Sequence, residues 1–140
     1  MIMDTLKLKI ITPKKVVKEE EVFSVTVPSS QGEITILPRH VNLFSLLVEG
    51  IVKVKKEKGE ELLGIGGGYV QTDGEKIVVL VSRAYGQNEI DENLIKEAVE
   101  EAKNIIKTSK NEAEKSQALA TLRRAVVDSK LLKRKKHKPV

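Results

Sequence analysis

The hydrophobic period of this chain changes once, near residue 88, and that change limits its possible folds more than any other feature. Before it, apolar residues recur at every second position; after it, at every third or fourth. Leu6, Leu8 and Ile10 alternate with Lys7 and Lys9, and Phe23, Val25 and Val27 with Ser24 and Thr26, the period of half-buried strands. Runs at 33–37, 42–48, 51–55, 61–71 and 76–81 extend the series. Pro13-Lys14, Pro28 to Gly32, Glu49-Gly50 and Lys58-Gly59 supply the breaks. Asp73-Gly74 between apolar runs is a strong hairpin signal, because both residue types tolerate positive φ. Ile77 to Val81 does not alternate, so it is expected to be central and covered on both faces.

About eight short strands within roughly 85 residues predict a β-sandwich or flattened barrel. Aromatic residues are only 3% of the chain, so Val, Ile and Leu must fill that core, at about 1.5–3 kcal/mol per buried side chain.

Beyond the change, Leu94, Ile95, Ala98, Val99, Ala102, Ile105 and Ile106 mark an amphipathic helix. Asn88 or Asp91 can cap its start, and it stops near Thr108. Ser109 and Glu112 have capping-box spacing, and Ala113, Ala118, Leu119, Leu122, Ala125 and Val126 continue as a second apolar stripe. Joined by so short a loop, the two helices run antiparallel. Each is expected to span about 16–20 residues, or roughly 24–30 Å. Their many alanines bury little apolar area, which predicts a loosely docked, mobile appendage hinged at 85–88. The fold class is therefore α+β and mainly β. Residues 1–86 form the sandwich and 87–140 the helical hairpin with a basic tail.

Charge follows the same division. Of 25 basic and 20 acidic residues, six basic and no acidic ones fall in 130–140, which leaves residues 1–129 at a net −1. Such a run reads first as a solvated, disordered tail and second as an arm for an acidic partner. Nucleic acid ranks third, because Phe23, Phe44, Tyr69 and Tyr85 are too few for a basic groove interleaved with stacking rings.

The chemistry available is narrow. With no Cys, and with His only at 40 and 137, disulfides, thiol catalysis and multi-histidine metal sites are excluded, so any metal would rest on carboxylates. No stretch approaches the roughly 20 apolar residues of a membrane span, and the first residues lack a secretory pattern. A soluble, cytosolic product is expected. The run from Gly64 through Gly66, Gly67 and Gly68 to Tyr69 lacks the Gly-Lys-Ser/Thr and the sixth-position glycine of phosphate-binding loops. Glycines within a strand instead mark bulges or close backbone approach. His40 has no neighbouring acid or nucleophile, and Glu33 is one of many scattered acids. The residues describe a non-enzymatic sandwich carrying a cationic helical hairpin.

Several segments resemble the epsilon subunit of bacterial-type F-type ATP synthases. Gly32-Glu33 followed by Ile36-Leu37-Pro38-Arg39-His40 is similar to a G-E-x-x-I-L-P-x-H stretch. Gly67-Gly68-Tyr69-Val70 before Asp73 and 77–80 resembles the family's double-glycine hairpin. Gly86-Gln87 with Ile90-Asp91, and Leu122-Arg123-Arg124-Ala125, resemble its helical motifs. The resemblance implies a rotor subunit without an active site, which couples proton or sodium translocation to ATP synthesis. It would lie peripherally at the cytoplasmic face of the cell membrane and touch the membrane only through the complex.

Its implied partners are the gamma subunit, the c-subunit ring and the beta subunit, with no nucleic acid. Glu33, Pro38, Arg39 and His40 would face the c-ring. The helices would regulate ATP hydrolysis, with Arg123, Arg124, Lys133, Arg134, Lys135 and Lys136 meeting acids of the beta subunit. No metal or cofactor is implied. Regulatory ATP, which some relatives bind through an I/L-D-x-x-R-A motif, has Ile90, Asp91, Arg123 and Arg124 as candidate ligands. Leu94-Ile95 stands where that motif has Arg-Ala, which removes a bidentate phosphate partner. The competing reading is a free-standing sandwich module whose tail binds an acidic partner or nucleic acid.

Overall fold

A computed structural model describes residues 4–39 and 42–137, with side chains of the last helix described as far as residue 134. Ten strands and two helices follow in order: β1 (Leu6–Ile11), β2 (Val16–Val22), β3 (Ser24–Ser29), β4 (Gly32–Ile36), β5 (Leu43–Leu47), β6 (Gly50–Lys56), β7 (Gly59–Ile65), β8 (Gly68–Thr72), β9 (Lys76–Val81), β10 (Ala84–Gly86), α1 (Glu92–Thr108) and α2 (Glu112–His137). A single 3-10 turn, Gln87–Glu89, precedes α1. The chain separates into two compact units between Gly86 and Gln87.

In the first unit the strands join as β10-β7-β6-β3-β5-β8-β9-β1-β2, with β4 beside β3. The path bends into a nearly closed sandwich. All neighbours are antiparallel except β1 and β9. Alternation places Leu6, Leu8 and Ile10 of β1, Val25 and Val27 of β3, Val52 and Val54 of β6, and Ile77, Val79 and Val81 of β9 in one wholly aliphatic core. On the outer side of β9, Val78 and Leu80 are half-buried, so the strand is central but covered fully on one face only.

Three strand assignments differ from the sequence reading. β2 escaped it because two of the positions that face inward are charged: Glu20 pairs with Leu8 and Lys18 with Ile10, so the segment shows no apolar alternation. The run at 61–71 is two strands, broken at Gly66-Gly67. β10 is too short to leave a pattern. In addition, β3 runs through Pro28, and only Ser30-Gln31 remain as the turn to β4. Pro28 is tolerated because it stands opposite Glu33 at a non-hydrogen-bonded pair, where no ladder N–H is required. In the Asp73-Gly74 turn only glycine has positive φ, 94°. The Asp73 carboxylate accepts the Glu75 and Lys76 N–H groups, both at 2.9 Å, and so fixes the turn.

The glycine run is structural. A Cβ on Gly68 would strike the Leu80 carbonyl and Val81 Cα, and one on Gly64 would enter the Tyr85 ring. These positions therefore require the missing side chain for close approach.

In the second unit α1 begins where expected. Asp91 caps it by accepting the N–H groups of Asn93 and Leu94 at 2.9 and 3.3 Å. The expected Ser109–Glu112 box does not form. Asn111 caps α2 by accepting from Ala113 and Glu114, while Ser109 Oγ donates to the Glu114 carboxylate at 2.7 Å. Asn is as effective an N-cap as Ser and stands directly before the helix. Helix α1 has 17 residues and α2 has 26, so the basic run to His137 is helical rather than a disordered tail. Lys and Arg are good helix formers, and cations at a helix C-terminus complement its dipole. Ala102, Ala118 and Ala125 are buried, whereas Leu119 and Val126 are about half exposed and Val127 and Leu131 are buried instead.

The sandwich closes at a seam of charges. Lys18 of β2 lies 2.8 Å from Glu61 of β7, Lys56 of β6 lies 3.0 Å from Glu20 of β2, and Lys56 and Glu61 are 2.7 Å apart. Glu61 is partly buried, which raises its pKa, but hydrogen bonds from Lys18 and Lys56 outweigh burial and hold it below the ordinary value of 4.5. The hydrogen bond that Lys56 donates to Glu61 raises its own pKa above 10.5 against desolvation. A depressed carboxylate contributes stability that is complete above its unfolded pKa and is lost as pH falls through the folded one. We predict that Glu61→Gln lowers stability at neutral pH by about 1 kcal/mol, a figure discounted for a side chain roughly one third exposed, and flattens the wild-type loss below pH 4.5. Urea unfolding at pH 7 and pH 3 checks this; an unchanged acid limb in the variant would refute it.

Candidate partner-binding surfaces

One end of the sandwich gathers the start of β1, the segment after β4, the β6–β7 turn and the β8–β9 turn. Arg39 is its pivot. Its φ of 62° is left-handed, a conformation uncommon for a residue with a Cβ. Its backbone N–H donates to the Gly74 carbonyl at 2.8 Å, which pins the segment after β4 onto the β8–β9 turn. The guanidinium lies 3.4 Å from Asp4, with 81% of the side chain exposed. Pro38 and the exposed Leu37 line an open cleft with Asp4, Phe23, Lys55 and Glu57. Pro38 and Arg39 are thus neighbours here.

Glu33 is not among them. It is the second residue of β4, opposite Pro28, and roughly 13 Å of chain separates it from Leu37. The grouping expected from sequence is divided between the two ends of the strand. His40 lies outside the described residues.

A second surface was missed by the sequence reading. On the outer face, register aligns Leu46 of β5 with Tyr69 of β8, Tyr69 with Leu80 of β9, and Leu80 with Ile11 of β1. Phe44 adds to this row, its ring centroid 5.1 Å from that of Tyr69 in a tilted pair. Phe44 is 60%, Leu46 61% and Val48 42% exposed. Apolar groups clustered on a solvated face mark a site where another surface docks. The signal was present in Leu43-Phe44-Ser45-Leu46-Leu47-Val48, which is apolar on both faces of a single strand.

In the second unit the Asp91 carboxylate is engaged by its own helix, and the Ile90 N–H donates to the Gln87 carbonyl at 3.3 Å. Val99, Lys103, Leu122, Ala125 and Val126 line one groove between the helices. This sets Arg123 and Arg124 beside the third turn of α1, about two and a half turns from Asp91. Of the four proposed nucleotide ligands, two stand on α2 and two directly before α1. Arg123, Arg124, Lys133 and Arg134 are exposed along α2; the side chains of Lys135 and Lys136 lie outside the described residues. Among the described residues, no three His, Asp or Glu side chains are placed to hold a metal, and no helix is long and apolar enough to cross a membrane.

Comparisons agree with this architecture. Residues 5–87 match the model of the ATP synthase delta/epsilon chain β-sandwich domain. The ATP synthase epsilon chain of Sulfurovum is 40% identical over 110 residues, 78% of this chain and 85% of that protein. The corresponding chain of Nitratiruptor is 36% identical over 121 residues, 86% and 92% of the two proteins. Among solved structures, a chain of the Euglena gracilis mitochondrial ATP synthase shares the fold with a TM-score of 0.82, at 24% identity over 94% of this chain and 84% of that one.

Proposed function

This chain belongs to the ATP synthase epsilon chain family, and from that membership we propose that it is a non-catalytic subunit of the synthase's central stalk. In that place it helps to couple proton or sodium movement to ATP synthesis, at the cytoplasmic face of the cell membrane and bound there only through the complex. The observation that carries the reading is the uncovered apolar row on β5 and β8. A subunit whose sheet exposes Phe44 and Leu46 is completed by a partner, and aromatic side chains in such rows are the usual anchors of an interface. The partner assigned to this face is the gamma subunit. The end bearing Pro38 and Arg39, with His40, rests on the c-subunit ring; Glu33, at the other end of β4, is assigned a separate edge of that contact.

We expect Phe44→Glu with Leu46→Glu to reduce co-purification with a gamma subunit by about tenfold or more while thermal unfolding of the free chain hardly changes. Undiminished recovery would remove the face from the interface.

The helical hairpin is the regulatory element in this reading. Arg123, Arg124, Lys133 and Arg134 stand along a continuous helix, and Lys135 and Lys136 follow them in its sequence. A rigid row of cations meets acids of the beta subunit with better register than a solvated tail, because opposite charge sets orientation and encounter rate. A catalytic head reconstituted with a chain ending after Thr121 should hydrolyse ATP faster than a head that carries the wild-type chain; equal rates would discard the regulatory role.

ATP is expected to bind the hairpin weakly or not at all. Leu94 is 62% exposed where the nucleotide-binding motif has arginine, and Asp91 is spent on the cap. Calorimetric titration of the free chain should therefore show affinity weaker than micromolar; a micromolar constant would contradict this.

A further inference from the structure

We infer that Gln87 is a latch that closes the helical hairpin on itself and sets the position of its basic end. Gln87 is the first residue of the second unit, and its side-chain Nε2 donates to the Leu131 carbonyl at 2.8 Å, across 44 residues of chain. Only the amide nitrogen can donate to a carbonyl, so the chemistry of the pair fixes the orientation of the glutamine. The carbonyl has two lone pairs, so it accepts this bond without giving up the bond to its own helix.

Both partners are held in place. The Gln87 carbonyl accepts the Ile90 N–H at 3.3 Å, which ties the backbone of the 3-10 turn. Leu131 is fully buried, and Asp128, one turn earlier on α2, is 8% exposed. The latch therefore joins the entrance of the unit to the helical turn directly before Lys133 and Arg134. Short apolar contacts among alanines hold the helices together weakly elsewhere, since Ala102, Ala118 and Ala125 bury little area. A directional bond at the open end of the hairpin then helps to keep α2 seated. The inference rests on the proposed regulatory role only for the consequence of opening.

Hydrogen exchange of the full chain tests the latch. In Gln87→Ala and in Gln87→Glu, which keeps the shape but has no donor, amides of 125–134 should exchange roughly five to ten times faster than in wild type. Amides of β1 and β9 should be unchanged, which shows that the chain is still folded. Wild-type protection of 125–134 in both variants would overturn the latch. A separate readout isolates the regulatory role. If exchange accelerates but heads reconstituted with Gln87→Glu or with the chain ending after Thr121 both hydrolyse ATP at the rate of heads carrying the wild-type chain, the latch stands and the regulatory reading falls.

Discussion

Closure of the sandwich depends on the seam where β2 meets β6 and β7. An edge strand exposes unpaired N–H and C=O groups and invites another chain to pair with it. Here that edge turns Lys18 and Glu20 inward, where Lys56 and Glu61 neutralise them in alternating contacts of 2.7–3.2 Å. Any single charge left on that inner face would be expensive; four of alternating sign satisfy one another. The seam therefore closes the barrel without a continuous hydrogen-bond ladder, in front of an aliphatic core. Because the core lacks aromatics, close strand approach matters more, and Gly64 and Gly68 allow it where any side chain would collide.

With the core secured, the outer surface is available for partners, and its two faces differ in chemistry. The β5–β8 face is apolar and anchored by the Phe44–Tyr69 pair. The end around Arg39 is polar, held by backbone bonds between turns and by an exposed ion pair with Asp4. The first suits a permanent interface and the second a contact with polar loops. The hairpin is different again. Alanines pack between its helices together with Val127 and Leu131, a long-range bond from Gln87 reaches Leu131, and it displays cations along a single helix.

Much of this was legible in the residues themselves. The alternation of β1, the amphipathic spacing of α1 and the cap at Asp91 are local matters, settled within four or five positions by backbone geometry. The failures share a cause. The strand β2 was hidden because Lys18 and Glu20 face inward only in the company of Lys56 and Glu61. The capping box at Ser109 lost to Asn111 because two good caps stood two residues apart. The basic end was read as a solvated run because charge alone does not show that the preceding helix continues through it.

Local order along the chain was enough for the two units, the division at Gly86-Gln87, the aliphatic composition of the core and the turns marked by Pro, Gly and Asp, since each depends on neighbours in sequence. It took the closed fold to show that β1 and β9 run parallel, that Phe44 and Leu46 remain uncovered, and that Gln87 reaches Leu131. Those features join residues tens of positions apart. Their energies come from packing and pairing that exist only after the chain has closed, so no local period can encode them.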